Sequence, residues 1–100
     1  MKRRLIIRPE AESDIIDAAV WYESREAGLG FEVTAEIRAA IKRAVEYPRA
    51  HLLLRKHPEV RRILAQRFPY RIFYIVRADV IVVFAVLHAA LHDRKWQQRT

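Results

Sequence analysis

Residues 61–88 read RRILAQRFPYRIFYIVRADVIVVFAVLH, and this stretch decides the fold. Runs rich in Ile, Val, Phe and Tyr are typical of β-strands that fill a core. The predicted strands cover residues 60–67, 70–77 and 80–88. The last strand is apolar on both faces, which predicts a central position in the sheet and not an edge position.

The last two strands are separated by residues 78–79, which predicts a hairpin with a two-residue turn. If Arg77 faces Val80 across this hairpin, Arg71 faces Val86. One face of the hairpin is then expected to carry Arg71, Phe73, Ile75, Val82, Phe84 and His88. The other face is expected to carry Tyr70, Ile72, Tyr74, Val83 and Leu87.

The first half of the chain is predicted to be mainly helical. A short strand over 4–8 is stopped by Pro9, which lacks a backbone N–H and suits the first turn of a helix. Glycines within 28–30 end this first helix, and a second helix runs over 31–47, before a proline. A short strand is predicted over 52–54.

This order of elements predicts a single α+β domain spanning residues 1–100. Its helical hairpin packs on one face of a mainly antiparallel sheet that has an N-terminal strand and three or four later strands.

Positive charge is concentrated in the second half of the chain. Residues 1–50 contain nine Lys or Arg and nine Asp or Glu, whereas residues 51–100 contain ten Lys or Arg and three Asp or Glu, a net charge of +7. This asymmetry favours an anionic partner such as nucleic acid, a membrane surface or an acidic protein segment. The alternative is a basic domain whose charge serves only solubility.

Five arginines are set into the predicted sheet region, so that one side of the sheet is expected to present a cationic surface. They are Arg61, Arg62, Arg67, Arg71 and Arg77. Because successive residues of a strand point to opposite faces, at most one of Arg61 and Arg62 belongs to a single patch.

Several classes of protein are not favoured by the sequence. The absence of cysteine excludes disulfides and thiolate metal sites. The apolar run 5–7 is too short for a signal peptide, and the run 80–87 is too short to span a bilayer. His88 and His92 are four residues apart, but no helix is expected there, so neither a metal nor a cofactor is predicted. We expect a cytoplasmic protein without membrane partners.

Several segments, in this order and at these spacings, resemble the RelE/ParE superfamily of bacterial type II toxin–antitoxin toxins, and specifically its ParE, or plasmid stabilisation, branch. These segments are RPEAESDIIDAAVWYE at 8–23, GLGF at 28–31, VRR at 60–62, RFPYRIFY at 67–74 and VFAVLH at 83–88.

The resemblance implies a small growth inhibitor that is neutralised by a ParD-like antitoxin encoded beside it. ParE-like toxins act on DNA gyrase by binding, without chemistry of their own. The residues predicted to bind the antitoxin or the target are Arg61, Arg62, Arg67, Arg71, Arg77, His88, Arg94 and Trp96.

Two alternatives stay open. RelE-like relatives cut mRNA on the ribosome, using lysines, arginines and a tyrosine close to the C-terminus. Here the last aromatic residue is Trp96, which has no titratable proton, so a nuclease would have to use Arg71, His88 and His92. His88 also has a purely structural interpretation, as a hydrogen-bond partner of a nearby backbone group.

The second alternative is a degenerate toxin that only binds its antitoxin. ParE-like chains commonly carry arginines after the strand-end histidine, whereas this chain has Ala90 and Leu91 there. Trp96 lies in a polar tail, where it is expected to fold back onto the domain or to be buried by a partner.

Overall fold

The computed structural model describes residues 3–91 and 94–100. The elements are β1 (Arg4–Ile7), α1 (Pro9–Arg25), α2 (Leu29–Glu46), β2 (Leu52–Arg55), β3 (Val60–Leu64), β4 (Tyr70–Val76), β5 (Val80–His88) and α3 (Arg94–Gln97). The sheet has the order β1-β5-β4-β3-β2, with β1 parallel to β5 and the other neighbours antiparallel. The predicted α+β fold is confirmed. Within the described residues, no helix has the length and apolarity needed to cross a membrane.

Strand β5 lies inside the sheet, between β1 and β4, and not at an edge, as its composition predicts, although the middle strand of the five is β4. All eight residues from Val80 to Leu87 are buried, and they divide between two hydrophobic clusters. The cluster on one face contains apolar residues of α1 and α2, such as Ile15 and Ile37. The cluster on the opposite face contains Trp96 of α3. Both faces of β5 are therefore covered, and the tail folds back onto the sheet.

A β-bulge in β5 makes the predicted register wrong beyond the middle of the hairpin. Tyr74 pairs with Val83 and Phe73 pairs with Ala85, so Phe84 has no partner in β4. A bulge places two residues of one strand opposite one residue of the other and shifts all later residues by one position. Arg71 consequently pairs with Leu87 and not with Val86.

The shift also exchanges the faces of the last two residues of β5. Leu87 packs in the cluster that contains Trp96, whereas His88 contacts Tyr70 on the side of the helices. The predicted faces of the residues before the bulge are correct, since Phe73 and Tyr74 lie in opposite clusters.

The helical hairpin is closed by glycine and by a carboxylate. Gly28 has φ 93°, in the left-handed region that favours glycine. The Glu23 carboxylate accepts hydrogen bonds from the N–H groups of Gly28 and Gly30, at 3.0 Å in each case. A Cβ at Gly30 would lie 2.6 Å from the Ala19 carbonyl oxygen. Because glycine has no Cβ, the two helices can approach closely at Gly30. Helix α2 begins at Leu29, two residues earlier than predicted.

The ends of two strands also differ from the prediction. Strand β3 ends at Leu64, so Arg67 lies in the loop before β4. Strand β4 ends at Val76, although the Arg77 N–H still donates to the Val80 carbonyl at 2.9 Å and closes the hairpin.

Trp96 is expected to contribute strongly to stability because only 5% of its surface is exposed and its ring lies 6.0 Å from that of Phe73. Trp96→Ala should lower the free energy of unfolding by about 3 kcal/mol, as measured by urea denaturation. Trp21, which is 51% exposed, provides the control, and Trp21→Ala should cost less than about 1 kcal/mol. Equal losses would contradict this role of the tail.

Tyr74 should make stability sensitive to alkaline pH. Its hydroxyl donates to the Pro48 carbonyl at 2.7 Å, and burial raises its pKa to about 12. A raised pKa means that the folded state favours the protonated phenol, so the contribution is complete below about pH 10 and is lost as the pH rises from about 10 to 12. In chemical denaturation across this range, Tyr74→Phe should lose less stability than the wild type. Parallel curves would contradict the prediction.

A candidate binding cleft beside the first helix

A cleft of about 330 Å³ lies between α1 and the end of the β4–β5 hairpin. Its lining combines acidic, aromatic and aliphatic side chains. The lining residues are Asp14, Asp17, Ala18, Trp21, Tyr70, Val86, Leu87, His88 and Leu91.

Asp14 fixes the position of α1 against the sheet at the floor of this cleft. Its carboxylate accepts a hydrogen bond from the Val86 N–H at 2.8 Å and pairs with both terminal nitrogens of Arg99, at 2.5 and 3.1 Å. The Arg99 guanidinium also donates to the Phe84 carbonyl at 3.3 Å. The hydrogen bond to Asp14 is the main cause of the raised pKa of Arg99.

These contacts lie where β1 stops covering the edge of β5. The last backbone contact on that edge is from the Arg8 N–H to the Val83 carbonyl, at 2.9 Å. Beyond it, Asp14 and Arg99 satisfy backbone groups that a longer β1 would otherwise have paired. The cleft therefore has a rigid floor made of β5, α1 and the C-terminal segment.

Tyr70 and His88 line one wall of the cleft and belong to a longer chain of aromatic contacts. The Tyr22 ring meets the Phe68 ring edge-on at 5.0 Å, and Tyr70 lies between Tyr22, at 6.2 Å, and His88, at 5.3 Å. Burial, and to a smaller extent Tyr22, raises the pKa of Tyr70 above its ordinary value, so that its phenol is harder to ionise. His88 Nδ1 accepts a hydrogen bond from the Ala90 N–H at 3.0 Å. This wall presents aromatic surface to the cleft.

The rim of the cleft is apolar and open to solvent. Trp21 is 51% exposed and Leu91 is 44% exposed. The Arg25 guanidinium lies over the Trp21 ring, 4.5 Å from its centroid, which adds a positive charge beside the rim. Ile16 and Val20, also on α1, are exposed as well. An exposed aromatic residue next to an arginine is typical of the anchors of protein interfaces.

Two of the predicted binding arginines are engaged within the fold. Arg61 is 14% exposed at its side chain, pairs with Glu59 at 2.7 Å and donates to the His51 carbonyl at 2.8 Å. Arg67 pairs with Glu32 of α2 at 2.9 Å. Arg49 also binds Glu59, and its hydrogen bond is the main cause of the lowered pKa of Glu59.

The remaining predicted residues do not converge on one point. Arg71 alternates with Tyr70 and therefore lies on the face opposite to His88, while Arg77 follows the other end of β4. Arg62, which pairs with Phe73, lies on the face opposite to Arg61. The sheet thus carries arginines on both faces and at both ends. His92 and the side chain of Arg94 lie outside the described residues.

Of the residues that line the cleft, the sequence had indicated only His88 as a site residue. The role of Asp14 has no local signal in the sequence, because its partner Arg99 lies 85 residues away. Trp21 carried a signal, because it falls outside the helical spacing of the buried residues Ala11, Ile15 and Ala18. Over residues 3–91 and 94–100, no three His, Asp or Glu side chains come together as a metal site would require.

Comparisons with known proteins give a consistent result. Residues 5–91 match the family described as the ParE toxin of the type II toxin–antitoxin system parDE. A solved structure described as the chromosomal ParDE toxin–antitoxin system from P. aeruginosa superposes with a TM-score of 0.76 at 15% identity, covering 87% of this chain and 96% of that chain. A search of curated protein sequences finds no match.

The role of Asp14 can be separated from its negative charge by comparison with Asp17, which lines the same cleft. Asp14→Ala leaves the Val86 N–H without its acceptor and Arg99 without its carboxylate, and should lower the free energy of unfolding by about 2–3 kcal/mol. Asp17→Ala should change it by less than about 0.5 kcal/mol. Chemical denaturation measures both. Similar values for the two variants would mean that Asp14 does not anchor the helix.

Proposed function

Since this chain belongs to the ParE toxin family of type II toxin–antitoxin systems, we propose that it inhibits DNA gyrase by binding and that a cognate ParD-type antitoxin, encoded beside it, neutralises it. The toxin acts in the cytoplasm, and the cleft beside α1 is its target surface. Family membership supports gyrase as the target, and the similarity to a ParDE toxin–antitoxin structure supports the kind of antitoxin.

The observation that carries this proposal is the character of the cleft. A preformed cavity with a rigid floor and an exposed Trp21 at its rim offers shape and apolar area to another protein. Binding inhibitors need such a surface, because their effect depends on affinity alone. The half-exposed Leu91 extends the rim where ParE-like chains commonly carry arginines.

The placement of the basic residues argues against the nuclease alternative. Metal-free RNA cleavage needs a base, an acid and a cation around one phosphate. Arg71 and His88, two of the three candidate catalytic residues, lie on opposite faces of the sheet. His88 also has one ring nitrogen engaged by a backbone N–H. This arrangement favours binding over chemistry.

The test is to express the chain alone from an inducible promoter and to follow growth, with gyrase supercoiling and cleavage of translated mRNA assayed in parallel. Growth should stop and gyrase should lose its supercoiling activity, while ribosome-bound mRNA should stay intact. Trp21→Ala should weaken gyrase inhibition about tenfold or more, because interface anchors commonly contribute about 2 kcal/mol or more. Tyr47→Ala, which removes another exposed aromatic side chain at the end of α2, should not.

Each contrary result identifies a different alternative. Mapped cuts in mRNA together with normal supercoiling would mean that the chain acts on ribosome-bound mRNA and not on gyrase. Unaffected growth at good expression would favour a degenerate toxin, and arginines restored at both Ala90 and Leu91 should then recover toxicity. Equal inhibition by Trp21→Ala and the wild type would move the target surface away from the cleft.

A further inference from the structure

A groove of about 220 Å³ lies between β1 and the second half of α2. Strand β1 is a terminal strand of the sheet and its Leu5 is 42% exposed, so the groove lies at the surface of the molecule. The lining is aliphatic apart from two exposed basic residues of α2. It consists of Leu5, Ile7, Arg38, Ile41, Lys42 and Val45. We call this feature the β1–α2 groove.

Phe31, at the other end of α2, has the opposite character. It is 81% exposed and therefore projects from the surface as an apolar knob. Val20 of α1 lines the same shallow depression between the helices, and Ile16, one turn before Val20, is also exposed. Single exposed apolar residues are common, but a contiguous group of them is typical of a contact surface.

The knob and the groove lie on the same side of α2. Phe31, Arg38, Lys42 and Val45 follow one another at i, i+7, i+11 and i+14, which is the spacing of residues on one side of a helix. With a rise of 1.5 Å per residue, Phe31 lies about 16 Å from Lys42 along the helix axis. A two-fold axis halfway between them would place the knob of each copy over the groove of the other.

The dimensions fit this arrangement. An apolar cavity of about 150 Å³ is enough to hold a benzene ring, so the β1–α2 groove has room for a phenyl group. Ala35, the exposed residue one turn after Phe31, has a small side chain. Two α2 helices can therefore approach each other closely beside the proposed axis.

The charges at the two ends are complementary as well. Glu23 lines the same depression as Phe31, whereas Lys42 lines the β1–α2 groove. The two-fold axis would bring these opposite charges together twice. Arg38 lies near that axis, where it would face its own copy, but it is paired with Glu12 at 3.2 Å. The pairing with Glu12 reduces the repulsion between the two arginines.

We propose that the free chain forms a two-fold symmetric dimer in which Phe31 of each copy inserts into the β1–α2 groove of the other. Lys42 of one copy then faces Glu23 of the other, and Ala35 lies close to its symmetry mate. This dimer is a property of the chain alone and does not depend on gyrase as the target.

Sedimentation equilibrium of the full chain tests the association. The wild type should dimerise with a Kd of about 10 µM or lower. Phe31→Ala removes both inserted rings and should weaken the dimer about a hundredfold or more. Tyr47→Ala, which removes another exposed aromatic side chain at the end of α2, should leave the Kd unchanged. A wild type that stays monomeric, or equal losses for the two variants, would overturn the proposal.

Mixing two variants tests the reciprocal insertion. Leu5→Lys places a charge in the β1–α2 groove and should weaken the dimer as Phe31→Ala does, because both contacts are lost in each case. A mixed dimer of the two variants keeps one intact contact, the knob of the Leu5→Lys chain in the groove of the Phe31→Ala chain. It should therefore be about tenfold or more tighter than either variant alone. Mixed dimers no tighter than the variants alone would contradict knob-in-groove packing.

A second groove variant guards against an effect on folding. Circular dichroism shows whether Leu5→Lys is folded, and Lys42→Glu, at an exposed position, gives the same mixing test if it is not. The remaining outcome concerns another occupant. If the chain is monomeric and Leu5→Lys weakens its binding to the antitoxin, the groove belongs to the antitoxin and the proposal is overturned.

Discussion

The rest of the structure depends on covering a single strand, β5. Its apolar residues must be removed from water on both faces, and its backbone groups must be paired on both edges. Strands β4 and β1 supply most of the pairing, α1 and α2 cover one face, and Trp96 covers the other. Where β1 ends, Asp14 and Arg99 take over from backbone pairing. The same contacts also form the rigid floor of the cleft beside α1.

Much of the fold follows from patterns that are local in sequence. Alternation and composition predicted the order of the elements and the place of β5 inside the sheet, and Pro9 correctly marked the start of α1. The bulge at Phe84 was not predicted, because a regular strand and a bulged strand have the same composition and differ only in how the partner strand pairs. From that point on the predicted register was wrong, and with it the face assigned to His88.

The candidate sites were less predictable than the fold, because they depend on contacts between distant residues. Counting charges correctly located the excess of arginine in the second half of the chain, but it could not show which arginines have partners. Arg61 and Arg67 are matched by Glu59 and Glu32, whereas the Nε of Arg62 has no acceptor among the described residues. The pairing of Asp14 with Arg99 likewise has no local signal.

The bulge has a consequence for comparing members of the family. A relative whose strand pairs regularly at the position of Phe84 can align with this chain without a gap and still direct its strand-end histidine to the opposite face of the sheet. A histidine conserved at the position of His88 would then not have the same role in both proteins, because the two side chains would contact different residues. Evolution can thus exchange the residues offered at the end of the hairpin by gaining or losing one bulge, while the aligned residues around it stay the same.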